Sequence, residues 1–195
     1  MDKKAISTEF LKSVYAGLAI AMGGVVFLSC ENKVVGSFLF SLGLISVLVF
    51  GFNLYTGKVC NTDYLKKPGS LLLIWVGNFV GAMVPVILTF SKLSEVAVAS
   101  AANRLSKPLH LAFLDGIFCG FCIAVAVKGY AKAEGVGKYL MVVLGVMMFI
   151  LCGAEHCIAD MFYLVVGQGE VAKTALFLLV VTAGNTVGGA LLSKI

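Results

Sequence analysis

The sequence predicts an all-α integral membrane protein, with six transmembrane helices as two inverted three-helix repeats and broken second and fifth helices. Three observations predict it. Of 195 residues, 60% are hydrophobic and 13% charged, and mean hydropathy is +1.02. A soluble domain has about 25% charged and about 45–50% apolar residues, so the apolar surplus here needs lipid rather than a larger core. Apolar runs near the ~20 residues that cross a bilayer recur six times along the chain. Finally, the middle run of each half is interrupted by glycine and polar residues at matching places.

The first span covers about residues 11–30; it has no small-residue cleavage motif and reads as a retained helix. After the turn Glu31-Asn32-Lys33, a second run covers 34–52 and ends in Asn53-Leu54-Tyr55-Thr56-Gly57-Lys58. Residues 59–65 are too short and too polar to span, and Lys66-Lys67-Pro68-Gly69 is a loop. The third span is about 70–90, and 91–108 read as a polar linker. The fourth span is about 109–127, followed by a charged loop over 128–138. The fifth runs from Tyr139 to Cys152, breaks at Gly153-Ala154-Glu155-His156 and continues to about Val166. The sixth span is about 171–192.

This is one channel domain, 1–195, whose repeats fall at 1–92 and 108–195. The last span of each half carries one motif, Gly77-Asn78-Phe79-Val80-Gly81 and Gly184-Asn185-Thr186-Val187-Gly188. Three spans per half is odd, so the halves must be inverted. Inverted repeats with paired broken helices are a transport architecture with its site near the midplane. Broken backbone survives at that depth only where it is buried or lines a cavity.

The net charge of +5 is no nucleic-acid signal, because the basic residues are scattered in short loops without interleaved aromatics. They report topology instead. With the N-terminus inside, ten Lys residues fall on the inner side (3, 4, 12, 58, 66, 67, 128, 132, 138 and 194). Five basic residues, Lys33, Lys92, Arg104, Lys107 and Lys173, fall outside. The positive-inside rule then predicts a cytoplasmic-membrane protein with both termini cytoplasmic.

Glu155-His156 is the most informative pair, since ionisable residues deep in a span are costly and functional by default. Asp160 reads best as the cap of the second half-helix, while Asp115 has no evident role. In the other break, Thr56 offers a hydroxyl and freed backbone N–H groups that can bind an anion or cap the half-helix. Cys119 and Cys122 form a Cys-x-x-Cys pair without neighbouring histidine, and read as buried thiols rather than a metal site. The His-Glu-x-x-His spacing of zinc proteases is absent, so neither a metal nor an enzyme is expected. Glycines such as Gly17, Gly81, Gly120 and Gly188 let helices approach closely.

Five segments in order resemble the formate/nitrite transporter family. Gly51-Phe52-Asn53-Leu54-Tyr55-Thr56-Gly57 is similar to that family's Leu-Phe-Thr-Gly loop. Gly153-Ala154-Glu155-His156-Cys157-Ile158-Ala159-Asp160-Met161-Phe162 is similar to its Gly-Phe-Glu-His-Ser-Ile-Ala-Asn-Met-Phe segment. Both Gly-Asn-x-x-Gly motifs are present, and Phe38-Leu39-Phe40-Ser41-Leu42-Gly43-Leu44 fits the second helix. The resemblance implies a homo-pentamer of aquaporin-like protomers, each with its own pore for small monovalent anions. It implies no cofactor. By position Phe40, Leu44 and Tyr55 would form the inner constriction, and Leu54, Ile123 and Phe149 the outer. His156 and Thr56 would lie between them, with Glu155 orienting the ring or its loop. Arg104, or Lys107 nearby, would supply the vestibule lysine of the family. Gly57, Gly153, Asn78 and Asn185 would shape the breaks.

The chain also departs from the family pattern. Asn53 stands where Glu is usual, and Lys58 where Asn is common. A family Asn on the fourth helix falls on Gly120, which implies a wider and less polar space beside the pore. The function expected is a channel or proton-coupled carrier for formate, nitrite or hydrosulfide. The alternative is an aquaporin-like channel for water or a neutral solute, although the paired Asn-Pro-Ala loops of aquaporins are absent.

Overall fold

Apolar helices organise the chain. The computed structural model describes residues 3–89 and 93–194. The expected end of the third span at Phe90, Lys92 and the repeat boundary at 92 lie outside the described residues. In order the helices are α1 (Lys3–Ser29), α2 (Lys33–Val49), α3 (Tyr55–Lys58), α4 (Thr62–Leu65) and α5 (Pro68–Thr89). Then come α6 (Ser94–Leu105), α7 (Leu109–Lys132), α8 (Gly137–Leu151), α9 (Cys157–Val166) and α10 (Val171–Ala190). Among the described residues there is no strand. Four helices, α1, α5, α7 and α10, are long and apolar enough to cross a membrane, and α2, α8 and α9 are shorter apolar helices.

Two helix pairs dominate the packing, α1 with α5 and α7 with α10. Glycine allows both. A Cβ on Gly81 would lie 1.9 Å from Val14 O, and one on Gly188 would lie 2.0 Å from Ile117 O. Backbone therefore meets backbone, the close approach that small residues permit in lipid. Helix α2 crosses to α8, joining the two pairs, and begins at Asn32, whose Oδ1 accepts from Val34 N at 2.9 Å and Val35 N at 3.1 Å.

The centre is held by α9, in which all residues except Val165 are buried. Apolar side chains such as Leu42, Phe50, Ile87 and Leu179 point outward instead, each more than 60% exposed. That pattern of apolar exterior and polar-studded interior suits a lipid surround. The stretch read as a polar linker contains a helix, α6. Ala97 and Ala101 on it are buried, and the backbone of Gly167 approaches Ala97 so closely that a Cβ there would lie 2.3 Å from Ala97 O. Its small and polar residues hid it from a hydropathy reading, but Ala97, Ala101 and Arg104 fall on one helical face.

Candidate functional site

Two helix breaks build the site, and both are made in the same way. α2 ends at Val49 and Gly51 takes φ 65°; α8 ends at Leu151 and Gly153 takes φ 71°. Positive φ at glycine turns the chain out of the helix without steric cost. Leu54 and His156 are extended and start the short helices α3 and α9.

The backbone groups freed by each break need partners at this depth. One buried asparagine supplies them each time. Asn78 Oδ1 accepts from Tyr55 N at 2.8 Å, while its Nδ2 donates to Asn53 O at 2.8 Å and Ser13 O at 2.7 Å. Asn185 Oδ1 accepts from Cys157 N at 2.9 Å, while its Nδ2 donates to Glu155 O at 2.9 Å and Gly116 O at 2.8 Å. Each amide thus ties a break to α1 or α7. Only an amide offers this acceptor and two donors in one side chain.

Gly120 belongs to this packing. A Cβ there would lie 2.3 Å from Asn185 O, on the backbone of α10. The expected widening beside the pore does not occur, because the missing side chain is replaced by a neighbouring helix. Gly57, by contrast, is loosely surrounded, with Val127 Cγ2 at 3.7 Å from a built Cβ.

His156 caps α9: its Nδ1 accepts from Ala159 N at 3.2 Å. Asp160, expected to be that cap, instead lies inside the first turn of α9 and faces Arg104. With Nδ1 occupied as an acceptor, the hydrogen-bond pattern assigns the ring hydrogen to Nε2. Nε2 then donates to Thr56 Oγ1, 3.0 Å away. Thr56 is fully buried on α3 and does not cap it, since Leu54 holds the cap position without a side-chain bond. His156 and Thr56 thus bridge the two breaks, one hundred residues apart in sequence.

Apolar side chains flank this bridge in a different grouping from the one expected. Phe149 stacks on His156 with centroids 5.7 Å apart, and Phe40 meets Phe149 edge-on at 6.3 Å. All three line a cavity of about 470 Å³ that also exposes Arg104, Lys107, Glu155 and Asp160. Leu44 and Leu54 line a smaller cavity of about 80 Å³ with Gly57 and Lys58. Phe40 and Leu44 are a helical turn apart on α2, about 6 Å along its axis, so they face different cavities. Tyr55 is tied to α10 by its hydroxyl, 2.8 Å from Thr186 Oγ1, and Ile123 is buried in α7.

The ion-paired groups around the site collect at the Phe149 end. Arg104 Nε donates to Asp160 Oδ1 at 3.1 Å and lies 3.2 Å from Glu155 Oε2, with the guanidinium 4.3 Å above the Tyr163 ring. Lys107 Nζ donates to Glu155 Oε1 at 2.7 Å and to Gly153 O at 3.2 Å, and pairs with Asp115. The two candidates for one vestibule cation are therefore both present and share Glu155. Glu155 is held by these cations rather than by the His156 ring. Asp160 gains a partner 56 residues away in Arg104, and Asp115 gains Lys107, 8 residues before it.

At the opposite end, Lys58 joins the small cavity to an open one of about 660 Å³, where Lys4, Glu9, Lys12 and Asn53 also line the wall.

The chain is similar along most of its length to known channels and transporters. The Haemophilus influenzae formate channel FocA is 26% identical over 190 residues, covering 82% of this chain. The chain spans 66% of that relative's length. The Escherichia coli nitrite transporter NirC is 27% identical over 207 residues, covering 92% of this chain and 77% of the relative. A solved pentameric formate channel with formate bound superposes with a TM-score of 0.82 at 25% identity, covering 98% of this chain and 95% of that one. An ion channel of the FNT family superposes with a TM-score of 0.77 at 23% identity, over 95% of this chain and 85% of that one, and shares the fold. The family model described as formate/nitrite transporter matches residues 2–195, and the chain belongs to that family.

Proposed function

We propose that the protein is a pentameric channel for small monovalent anions of weak acids, formate and nitrite first and hydrosulfide next, in the cytoplasmic membrane. The observation that carries this reading is the buried His156–Thr56 hydrogen bond between the two breaks; Phe40 and Phe149 line a cavity with His156, and Leu44 and Leu54 line another, which supports two apolar constrictions. A bare anion in a dry apolar ring loses hydration that apolar side chains cannot replace, whereas the neutral acid passes cheaply. The anion is drawn in, takes up a proton and crosses as HA. Thr56 and His156 supply the one polar waypoint between the rings.

The protomer is read as six crossings in two inverted repeats. α1, α2 with α3, and α5 form the first; α7, α8 with α9, and α10 form the second. The doubled asparagine scheme supports this reading, since the Asn78 and Asn185 bonds repeat partner by partner. Ten basic residues on one side against five on the other support cytoplasmic termini. Five copies would bury part of the apolar exterior and leave the rest to lipid.

Uptake by proteoliposomes tests the reading, with formate, nitrite and hydrosulfide at pH 7 and pH 5 and water flux as control. Transport of one or more weak acids, with pH-dependent rates, is the expected result. Water flux without any of them would replace this reading with the aquaporin-like one.

A further inference from the structure

The two mouths of the pore carry different charge. They lie at opposite ends of α2, about 25 Å apart at 1.5 Å per residue. At the Arg104 mouth the cations are compensated. Arg104 is shared between Asp160 and Glu155, and Lys107 between Glu155 and Asp115, which leaves Lys33 as the unpaired cation lining that cavity among the described residues. Asp160 is the most buried of the three carboxylates in this network. It is 1% exposed, and its Oδ2 has no hydrogen-bond partner among the described residues.

The Lys58 mouth is the reverse. Lys4, Lys12 and Lys58 line it with Glu9 as the single carboxylate, and none of the three lysines is in an ion pair among the described residues. Lys58 is half-buried, with Nζ 4.8 Å from the centroid of the Tyr64 ring. It also lines the small cavity of Leu44 and Leu54, so its charge is shared by the two cavities at this end. Asn53 N donates to Lys12 O at 3.1 Å, which fixes α1 and its lysine beside the loop.

We propose that anion capture is concentrated at the Lys58 mouth, where Lys58 with Lys12 and Lys4 forms a binding site for small monovalent anions, while Asp160 cancels Arg104 at the other mouth. The proposal rests on the anion-transport reading above and adds a sidedness to it. A cleft lined by one sign of charge raises the local concentration of its counter-ion, whereas a compensated one does not. A passive pore cannot alter the equilibrium, so low-concentration permeability stays equal in both directions. The asymmetry appears in the half-saturating concentration on each face.

The experiment is formate flux in proteoliposomes of determined orientation, with saturation measured separately from each face at equal pH. Wild-type protein is expected to half-saturate at lower formate on the Lys58 face. Lys58→Asn should raise that value by about three- to tenfold and leave the Arg104 face unchanged, in keeping with cleft charges that alter local ion concentration by about tenfold or more. Lys58→Arg, which keeps the charge, should retain the wild-type value. The near-isosteric Asp160→Asn should lower half-saturation on the Arg104 face only. Equal half-saturation on both faces of the wild type, or equal shifts on both faces in Lys58→Asn, would overturn the proposal. Absence of formate, nitrite and hydrosulfide flux alike in the wild type would instead remove the anion-transport reading itself.

Discussion

His156 has two duties that separate variants can pull apart. It closes the amide end of α9 through Nδ1, and it presents Nε2 to Thr56 across the two breaks. Loss of a cap costs about 0.5–2 kcal/mol. His156→Phe should therefore abolish formate flux and lower the melting temperature slightly, with the oligomer intact on size-exclusion chromatography. His156→Asn keeps a capping oxygen, so it should recover stability without recovering flux. Normal flux in either variant would take His156 out of the mechanism. Sequence alone identified this residue because an ionisable group at a glycine break in an apolar run has few structural explanations. It assigned the cap to Asp160, four residues on, because aspartate is the commoner cap and the Arg104 partner was invisible at 56 residues' distance. Gly120 misled for a related reason: an absent side chain looks like added space until the opposing backbone is known. The Asn185 carbonyl occupies that space, so Gly120→Asn should destabilise the fold by about 1–3 kcal/mol or more through overpacking. Thermal unfolding in detergent measures this. A normally stable variant with a narrower substrate range would restore the wider-pore reading.

At the level of elements, the breaks were legible and their supports were partly so. Glycine followed by polar residues marks where α2 and α8 stop, and the paired Gly-Asn-x-x-Gly motifs marked α5 and α10 as equivalent. What each motif does needs three dimensions. The glycines seat α5 on α1 and α10 on α7, and the asparagine between them then reaches the break behind. Pattern reading cannot supply that reach, since Asn185 spans 69 residues to Gly116 and 28 to Cys157. Helix α6 was missed because its small residues lack the hydropathy of a span, although it carries Arg104 into the site. The doubled scheme makes a symmetrical prediction. Asn78→Leu and Asn185→Leu each remove three hydrogen bonds and leave two backbone groups of a break unpaired, Tyr55 N and Asn53 O or Cys157 N and Glu155 O, at about 1–3 kcal/mol per group. Both variants should lose folded oligomer to a similar degree, scored by fluorescence-detected chromatography. If one half tolerated the change while the other collapsed, the two breaks would not be equivalent supports.

Across the whole molecule, the proposed pore sets two apolar constrictions in series with charged mouths. In that pore the aromatic pair and the leucine pair would shed water from an entering ion, and the His156–Thr56 bridge would be too small a refuge to replace a hydration shell. Desolvating a monovalent anion in such rings costs several kcal/mol that no side chain there returns, whereas its conjugate acid avoids the charge term. Concentration at the mouth and passage through the rings are therefore separate selections: lysines favour the anion, and apolar rings favour the acid. The sign with pH follows from the second. At constant total formate, each unit of pH lowered on both faces raises the neutral-acid fraction about tenfold while pH stays above the acid's own pKa. Formate flux from pH 7 to pH 5 should rise steeply, and chloride, whose conjugate acid is not populated in water, should stay near background at both values. Flux measured with equal pH across the membrane removes any driving force from a proton gradient, so the rise reports the permeating species alone. A pore that conducted chloride as well as formate, with no dependence on pH, would be passing bare anions. In that case the rings formed by Phe40 with Phe149 and by Leu44 with Leu54 must open and hydrate during conduction.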